Sequence, residues 1–486
     1  MGIRHPPPAP FIGNVLLFQK GFWEGTNNIL KRFGPITGYY LGRRPIVLLA
    51  DPEAVKQILQ KDFSNFTNRM KLNLVTKPMS DSLLCLRDEQ WKRVRSVLTP
   101  SFSAARMREM CPLINQGCDV LLNNLQEIAD SGEPCNVQRS YASYTMDIVA
   151  SVAFGTKVDS QNDPDHPLVQ NCKKFLELFT PFKPAVLLTL SFPSIMIPLV
   201  RRLPNKNRDR INSFFCAAIR EMIALRDGQP ANERRRDVLQ LMLDARMSDA
   251  NVSVDHFDIV NQADLTAPAG AEPKKTTKTL SEEEMVGQAV IFLIAGYETT
   301  CSLLTFTTYL LATHPACQEA LLREVDEFAE NHDGADYNTV HNLPYMDMVI
   351  SESLRMYPPA FRFAREAARD CTVMGRKIPA GTVLEIPIGC MQNDPHYWAE
   401  PEAFRPERFT AEEKQKRHPF LYLPFGAGPR SCIGMRLAIL EAKITLYRIL
   451  RKFRFETCPR TQIPLQVTAM STLRPKDGVY VRVVAR

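Results

Sequence analysis

Apolar residues recur at helical spacing along most of the chain and alternate in step with a strand only in short stretches, which predicts a mainly α protein with a small β subdomain. The segment YYLGRRPIVLLADPEAVKQIL reads as a hairpin and then a helix, with Asp51 as N-cap and Pro52 at the first helical position. Ser281 and Glu284 form a capping box ahead of an apolar helix expected from roughly Met285 to Ala312, about 45 Å long at about 1.5 Å per residue. A helix of that length must cross a whole domain. The terminal VYVRVVAR, after the turn PKDG, alternates as a strand does. Apolar periodicity resumes after each Pro- or Gly-rich stretch, so residues 1–486 are read as a single domain, with a surface loop over 262–280 where the polar run TAPAGAEPKKTTKT falls.

Two stretches break the pattern in a way that points to a membrane. The proline-rich segment 1–14, with RHPPPAPFIGN, is stiff and of the kind that follows an anchor. Residues 184–200, PAVLLTLSFPSIMIPLV, are almost wholly apolar, but Pro184, Pro193 and Pro198 disfavour a straight spanning helix. Arg201, Arg202, Lys206 and Arg208 follow, so the run reads as either a loop dipping into an anionic membrane surface or a buried lid over a pocket.

Composition narrows the class further. At 45% apolar residues the chain can bury a large core, and a net charge of +7 suits an acidic protein partner or an anionic membrane better than the reading of DNA; no nucleic-acid motif is present. The twelve cysteines lie scattered without a CxxC pair, which favours reduced thiols facing a cytosol over a disulfide framework. On that reading the sequons at Asn65 and Asn251 are chance matches.

One cysteine is different. FGAGPRSCIG, residues 425–434, places Cys432 among three glycines, next to Arg430 and just before a long apolar helical pattern. Zinc would need further Cys or His ligands and a nucleophilic thiol would want a His base, and neither lies near in sequence; a haem needs one axial thiolate. Glycines 426, 428 and 434 allow a tight turn whose N–H groups face the sulfur, and the start of the following helix adds its positive end. Arg430 is placed to reach a haem propionate with paired hydrogen bonds.

Phe425, Gly428, Arg430, Cys432 and Gly434 together resemble the ligand signature Phe-x-x-Gly-x-Arg-x-Cys-x-Gly of the cytochrome P-450 superfamily. The resemblance extends over the whole chain. It implies a long central helix over haem b (iron protoporphyrin IX), with the cysteine loop on the other face and Cys432 as the axial iron ligand. ESLR supplies Glu352 and Arg355 one turn apart, and RPERF supplies Arg408; these resemble the family's buried Glu–Arg–Arg network. WKRVR sets Trp91 and Arg95 on one helical face, and the resemblance implies that they hold the propionates with Arg69, Arg365 and Arg430. In AGYETT, Ala295 and Gly296 are small enough for the helix to pass close over a flat ligand, and Glu298 and Thr299 are implied to be a proton-delivery pair.

Within the superfamily, FSNFTNRM, PLINQGCDVLL, VASVAFGTKVDS, LSFPSIMIPL, LPNKNRD, MYPPAFRFAREAA and YLPFGAGPRSC are similar to a membrane-bound branch that isomerises the endoperoxide prostaglandin H2. That resemblance implies a monomer at the endoplasmic reticulum membrane, its catalytic domain facing the cytosol, needing neither reductase nor NADPH nor dioxygen. The chain departs from that branch at Thr299 and Ser302, where the branch carries an aliphatic residue and an asparagine. The departure keeps open a second activity, an NADPH-dependent monooxygenase of lipids, steroids or foreign compounds. For it, Lys92, Arg93, Lys414, Lys416 and Arg417 are candidate contacts to an acidic NADPH–cytochrome P-450 reductase. A haem-binding sensor or carrier without turnover is the third reading.

Overall fold

A computed structural model describes residues 1–163, 165–178, 184–203, 205–230, 232–247 and 279–486. The surface loop expected over 262–280 lies outside these residues except for its last two, as does Asn251. Among these residues helices dominate, and the strands gather into four small sheets.

The longest helix, Glu282–Thr313, is the core of the molecule. Both halves of its capping box are present: the Ser281 hydroxyl accepts from the Glu284 N–H at 3.2 Å, and the Ser281 N–H donates to the Glu284 carboxylate at 3.0 Å. Nearly every residue from Met285 to Ala312 is buried, because neighbouring helices surround it. It is long and apolar enough to cross a membrane, yet it is packed inside the protein, as a helix hydrophobic all round must be. The helices Ala104–Ser131, Val137–Phe154 and Met435–Leu450 share its hydrophobic cluster.

The predicted hairpin pairs strands Ile36–Leu41 and Arg44–Leu49, and Asp51 caps the next helix through the Ala54 N–H at 2.9 Å. A strand at Val383–Ile386 then joins in parallel, and Phe363–Glu366 completes the four-stranded sheet with Arg365 opposite Leu384. The segment around Asn68 runs along this last strand, its carbonyl accepting from the Glu366 N–H at 2.8 Å. Residues nearly 300 positions apart in the chain, Arg69 and Arg365, are thereby brought side by side. The terminal strand Tyr480–Ala485 pairs with Phe453–Glu456 as its alternation implied.

All twelve cysteines are free, and Asn65 is buried with its amide bonded to the Arg369 backbone. Residues 184–202 form two short helices, Pro184–Ser191 and Pro193–Arg202, broken at Phe192. The second helix buries none of its residues. Ile195 is 69% exposed, and Phe192 packs its ring on that of Phe11 at 5.3 Å. The lid expectation therefore fails for the second helix, whose apolar side faces outward beside the equally exposed Phe11, Leu16 and Leu17.

Candidate functional site

The loop 425–434 folds back on itself. The Cys432 N–H donates to the Phe425 carbonyl at 2.9 Å and the Ser431 N–H to that of Gly428 at 3.0 Å. Gly426 and Gly428 both take positive φ, 71° and 73°, which L side chains rarely adopt. At Gly428 a Cβ would also lie 2.1 Å from the Leu59 carbonyl oxygen, so no side chain fits there. Gly434 is the N-cap of the helix Met435–Leu450. Cys432 is the one exposed cysteine of the twelve. Its crowded surroundings push its thiol up, while the Gly434 N–H and the guanidinium groups of Arg95 and Arg69 pull it down towards thiolate.

Four arginines converge beside this loop. Arg95, on the helix Asp88–Leu98, donates to the Ser431 carbonyl at 3.1 Å. Arg430 donates to the carbonyls of Thr67 and Leu86 and lies 4.7 Å over the Trp91 ring, which is itself buried. Arg365, 1% exposed, donates to the Ala364 carbonyl at 3.0 Å. Arg69 completes the cluster. Among the described residues none of the four has a carboxylate partner, and Nε of Arg69, Arg365 and Arg430 is buried without an acceptor. Burial lowers the affinity of all four for their proton, Arg95 to about 10 and Arg430 to about 9, and repulsion from neighbouring arginines adds to it at Arg95, Arg365 and Arg430. So much buried positive charge is stable only against an anion with several acceptor oxygens. The two propionates of a haem would meet that requirement, and the accessible Cys432 sulfur lies in the adjacent loop.

The Glu–Arg–Arg network is present. Glu352 and Arg355 are both fully buried; Arg355 grips the carboxylate with Nε at 2.7 Å and Nη2 at 3.0 Å, and Arg408 Nε reaches it at 3.2 Å. The network continues through a residue that sequence reasoning missed. Arg355 donates to the Gln392 carbonyl at 2.8 Å, and the Gln392 side-chain oxygen accepts from the Leu423 N–H at 2.9 Å, at the entrance of the cysteine loop. The only signal for it in the sequence is a Gln-Asn pair ending the apolar run LEIPIGCM.

The central helix corrects two expectations. Gly296 does not face a flat ligand: a Cβ there would lie 2.8 Å from Val149 Cγ2, so its smallness serves packing against the helix Val137–Phe154. Ala295 is exposed and Thr299 half-exposed, an accessible strip in the middle of a mostly buried helix. Glu298 and Thr299 are also not joined. The Thr299 hydroxyl donates to the Ala295 carbonyl at 2.7 Å, whereas Glu298 accepts from Thr472 at 3.1 Å, next to the short hairpin of Val467–Ala469 and Leu473–Pro475. Burial raises the Glu298 carboxyl, and Arg474 and the Thr472 bond oppose the rise. Thr472 was not foreseen, since nothing local in STLRP marks it.

Of the cations proposed to meet a reductase, Arg93 is tied to Glu284 and Arg417 lies over the rings of Trp398 and Phe409. Lys92 and Lys416 each pair with a nearby glutamate.

The chain belongs to the cytochrome P450 family, whose sequence profile matches residues 3–483. Haem b is therefore its cofactor, and the arginine cluster and loop just described fit it. Over the full chain it is 55% identical to thromboxane-A synthase of Sus scrofa and 54% identical to that of Macaca fascicularis, in each case covering 92% of the relative. Cytochrome P450 3A9 of Rattus norvegicus is 38% identical over the full chain, again with 92% of the relative covered.

Proposed function

We propose that this chain is a thromboxane-A synthase, a haem-thiolate isomerase that converts prostaglandin H2 to thromboxane A2 and, by a competing fragmentation, to a hydroxy-heptadecatrienoic acid plus malondialdehyde. The observation that carries this reading is the full-length identity of 53–55% to four mammalian thromboxane-A synthases, against 37–38% to drug-metabolising relatives. Bound haem supplies a centre that can take up and return one electron while the oxygen–oxygen bond of the substrate breaks. The chain's residues then have distinct tasks. Cys432 would ligate the haem iron, its electron donation moderated by the Gly434 N–H. Arg69, Arg95, Arg365, Arg430 and Trp91 would hold the propionates, and Phe425 shapes the loop. Glu352, Arg355 and Arg408 fix the loop through Gln392. The accessible Ala295–Thr299 strip would border the substrate. Glu298 anchors the C-terminal hairpin and moves no proton in this reaction.

The accessible Thr299 hydroxyl supports keeping a monooxygenase as the second reading, since such a hydroxyl is what proton delivery to dioxygen would use. Thr299→Val separates the two. Isomerisation of prostaglandin H2, followed without NADPH or reductase, should stay within a few-fold of the parent. NADPH-supported hydroxylation of a lipid probe would fall steeply, because proton relay is worth about 10²–10⁴-fold where it operates. A hundredfold loss of isomerisation with an intact haem spectrum would show that the hydroxyl positions the endoperoxide.

The protein works at a membrane, in this reading the endoplasmic reticulum with the catalytic domain in the cytosol, as a monomer. Exposed Phe11, Leu16, Leu17, Phe192, Ile195 and Leu199, flanked by Arg201 and Arg202, form the surface that enters the lipid interface. A reductase contact is required only for the second activity.

A further inference from the structure

Between Met285 and Ala295 the central helix reads MVGQAVIFLIA, and Gln288 is the one polar side chain in that stretch. It is fully buried, and all of its hydrogen-bonding capacity is directed at backbone. Its Oε1 accepts from the Leu83 N–H at 2.6 Å, and its Nε2 donates to the Asp81 carbonyl at 2.7 Å and to the Glu284 carbonyl at 3.0 Å. One end of the amide takes an N–H and the other a carbonyl of the same loop, a pattern that a side-chain amide matches and an apolar residue cannot. The residue before it is Gly287, where a Cβ would lie 2.8 Å from the Pro78 carbonyl oxygen. Gly287 lets the loop backbone come close, and Gln288 ties it down.

The clamp sits at one end of an accessible face. Ile291, Ala295 and Thr299 follow Gln288 at three, seven and eleven positions, so all four lie along one side of the helix. Ile291 and Thr299 are partly accessible and Ala295 is exposed, whereas Gln288 is covered because the loop crosses the face there. Beyond Leu83 the chain makes one tight turn, in which the N–H groups of Cys85 and Leu86 donate to the Ser82 carbonyl at 2.9 and 2.8 Å. The Leu86 carbonyl then accepts from Arg430, and the Arg87 guanidinium donates to the Arg69 carbonyl at 3.1 Å. The half-buried Leu83, Leu84 and Cys85 are thereby strung between the end of the accessible strip and the arginine cluster. A turn this short passes any shift at Leu83 to all three side chains.

We propose that Gln288 is a positioning residue for the isomerisation: it holds the Leu83–Cys85 turn as the wall that the endoperoxide meets next to Ala295, and so sets how the substrate divides between its two products. This role rests on the isomerase reading. Closure to thromboxane breaks the oxygen–oxygen bond and one ring carbon–carbon bond and forms two carbon–oxygen bonds. Fragmentation breaks the same oxygen–oxygen bond and two ring carbon–carbon bonds, and the freed electrons become the two carbonyls of malondialdehyde and a new double bond in the acid. Neither outcome needs an oxidant or a reductant, so the wall decides between them by geometry. A fixed wall keeps the parts of the opened ring within reach of each other, and slack favours their separation into two molecules.

Haem-loaded parent and Gln288→Met, which keeps the volume and loses both loop bonds, are given prostaglandin H2 and the products are quantified by mass spectrometry. The ratio of hydroxy-heptadecatrienoic acid to thromboxane should rise about threefold or more in the variant. That ratio does not depend on how much of the protein is folded or loaded. Hydrogen exchange without substrate should show the Leu83 turn opening about tenfold faster than in the parent, with the Glu352 region unchanged. Thr305→Val is the control: it deletes a fully buried hydroxyl of the same helix, bonded to the Cys301 carbonyl at 2.7 Å, and should leave the product ratio at the parent value. Gln288→Asn, one methylene shorter, reaches one loop partner at a time and should give an intermediate ratio; it carries the test if Gln288→Met does not load haem. A parent that forms neither product overturns the isomerase reading and this role with it. A parent that forms both, with the Gln288→Met ratio within about 1.5-fold of it, overturns the role of Gln288 alone, as does an equal shift in Thr305→Val or an unchanged exchange rate at Leu83.

Discussion

Glu352→Ala tests whether the buried network holds the haem loop. In the parent, the Glu352 carboxylate accepts four hydrogen bonds: two from Arg355, one from Arg408 and one from the Arg405 N–H. Its removal leaves Arg355, itself fully buried, with neutral acceptors alone: the carbonyls of Gln392 and Pro401 and, at 3.4 Å, the Asn393 side-chain oxygen. Stranding a buried charge in this way costs about 3–5 kcal/mol, two to four decades in the folding equilibrium. The cost also falls on function, because the Gln392 carbonyl bonded to Arg355 and the Gln392 amide bonded to Leu423 belong to one residue at the mouth of the cysteine loop. Purified Glu352→Ala should contain less than a tenth of the parent's haem per mole, measured from the reduced carbon monoxide difference spectrum, and should unfold at clearly lower urea. Glu366→Ala is the control. Its carboxylate pairs with Arg44 and Arg87, whose side chains are each 32% exposed, so its loss should cost about 1 kcal/mol and leave haem content near normal. If Glu352→Ala keeps full haem and loses under about 1 kcal/mol, the network is no more than an ordinary surface bridge.

Cys432→Ala should abolish the thiolate-type band near about 450 nm in the carbon monoxide spectrum, and its persistence would refute the axial assignment. Glu441, buried near Cys118 with one oxygen unpartnered among the described residues, has its carboxyl pushed up to about 8 by burial alone. Raised above its unfolded value, it favours folding fully below about pH 4.5 and loses that contribution as pH climbs through 8; Glu441→Gln should flatten the decline in urea stability between those limits, and an unchanged pH profile would show that the group is not neutral when buried. Phe192, Ile195 and Leu199 changed together to Ser should weaken liposome binding at least tenfold with haem content unchanged; equal binding would mean that the membrane contact lies elsewhere.

The parts of this protein that could be read from sequence are those in which a local pattern dictates a local geometry. The capping box at Ser281, the helix start at Asp51 and the alternating C-terminal strand depend on residues within a few positions of each other, and each formed as read. The cysteine loop belongs here too, since Gly426 and Gly428 announce a tight turn by residue type alone, and both take positive φ. What escaped was direction. Gly296 was legible as a close-packing position but not as one packed on Val149, because which face of an all-apolar helix meets a neighbour and which meets a ligand is decided by helices far away in the chain. The same limit explains Glu298. Next to Thr299 in sequence, it projects about 100° away round the helix, and its partner Thr472 lies 174 positions on, so adjacency in the motif does not make the two side chains neighbours in space. Gln392 shows the converse. A single buried glutamine with no motif of its own joins the Glu352 network to the haem loop, because a buried backbone N–H at Leu423 needs an acceptor and the nearest chain segment able to supply one is the stretch after the strand Val383–Ile386 that carries Gln392. Such obligations of the buried backbone are fixed by the fold, and Gln392 meets one with no motif to announce it, whereas Glu352, Arg355 and Arg408, in the same network, do leave a pattern in the sequence.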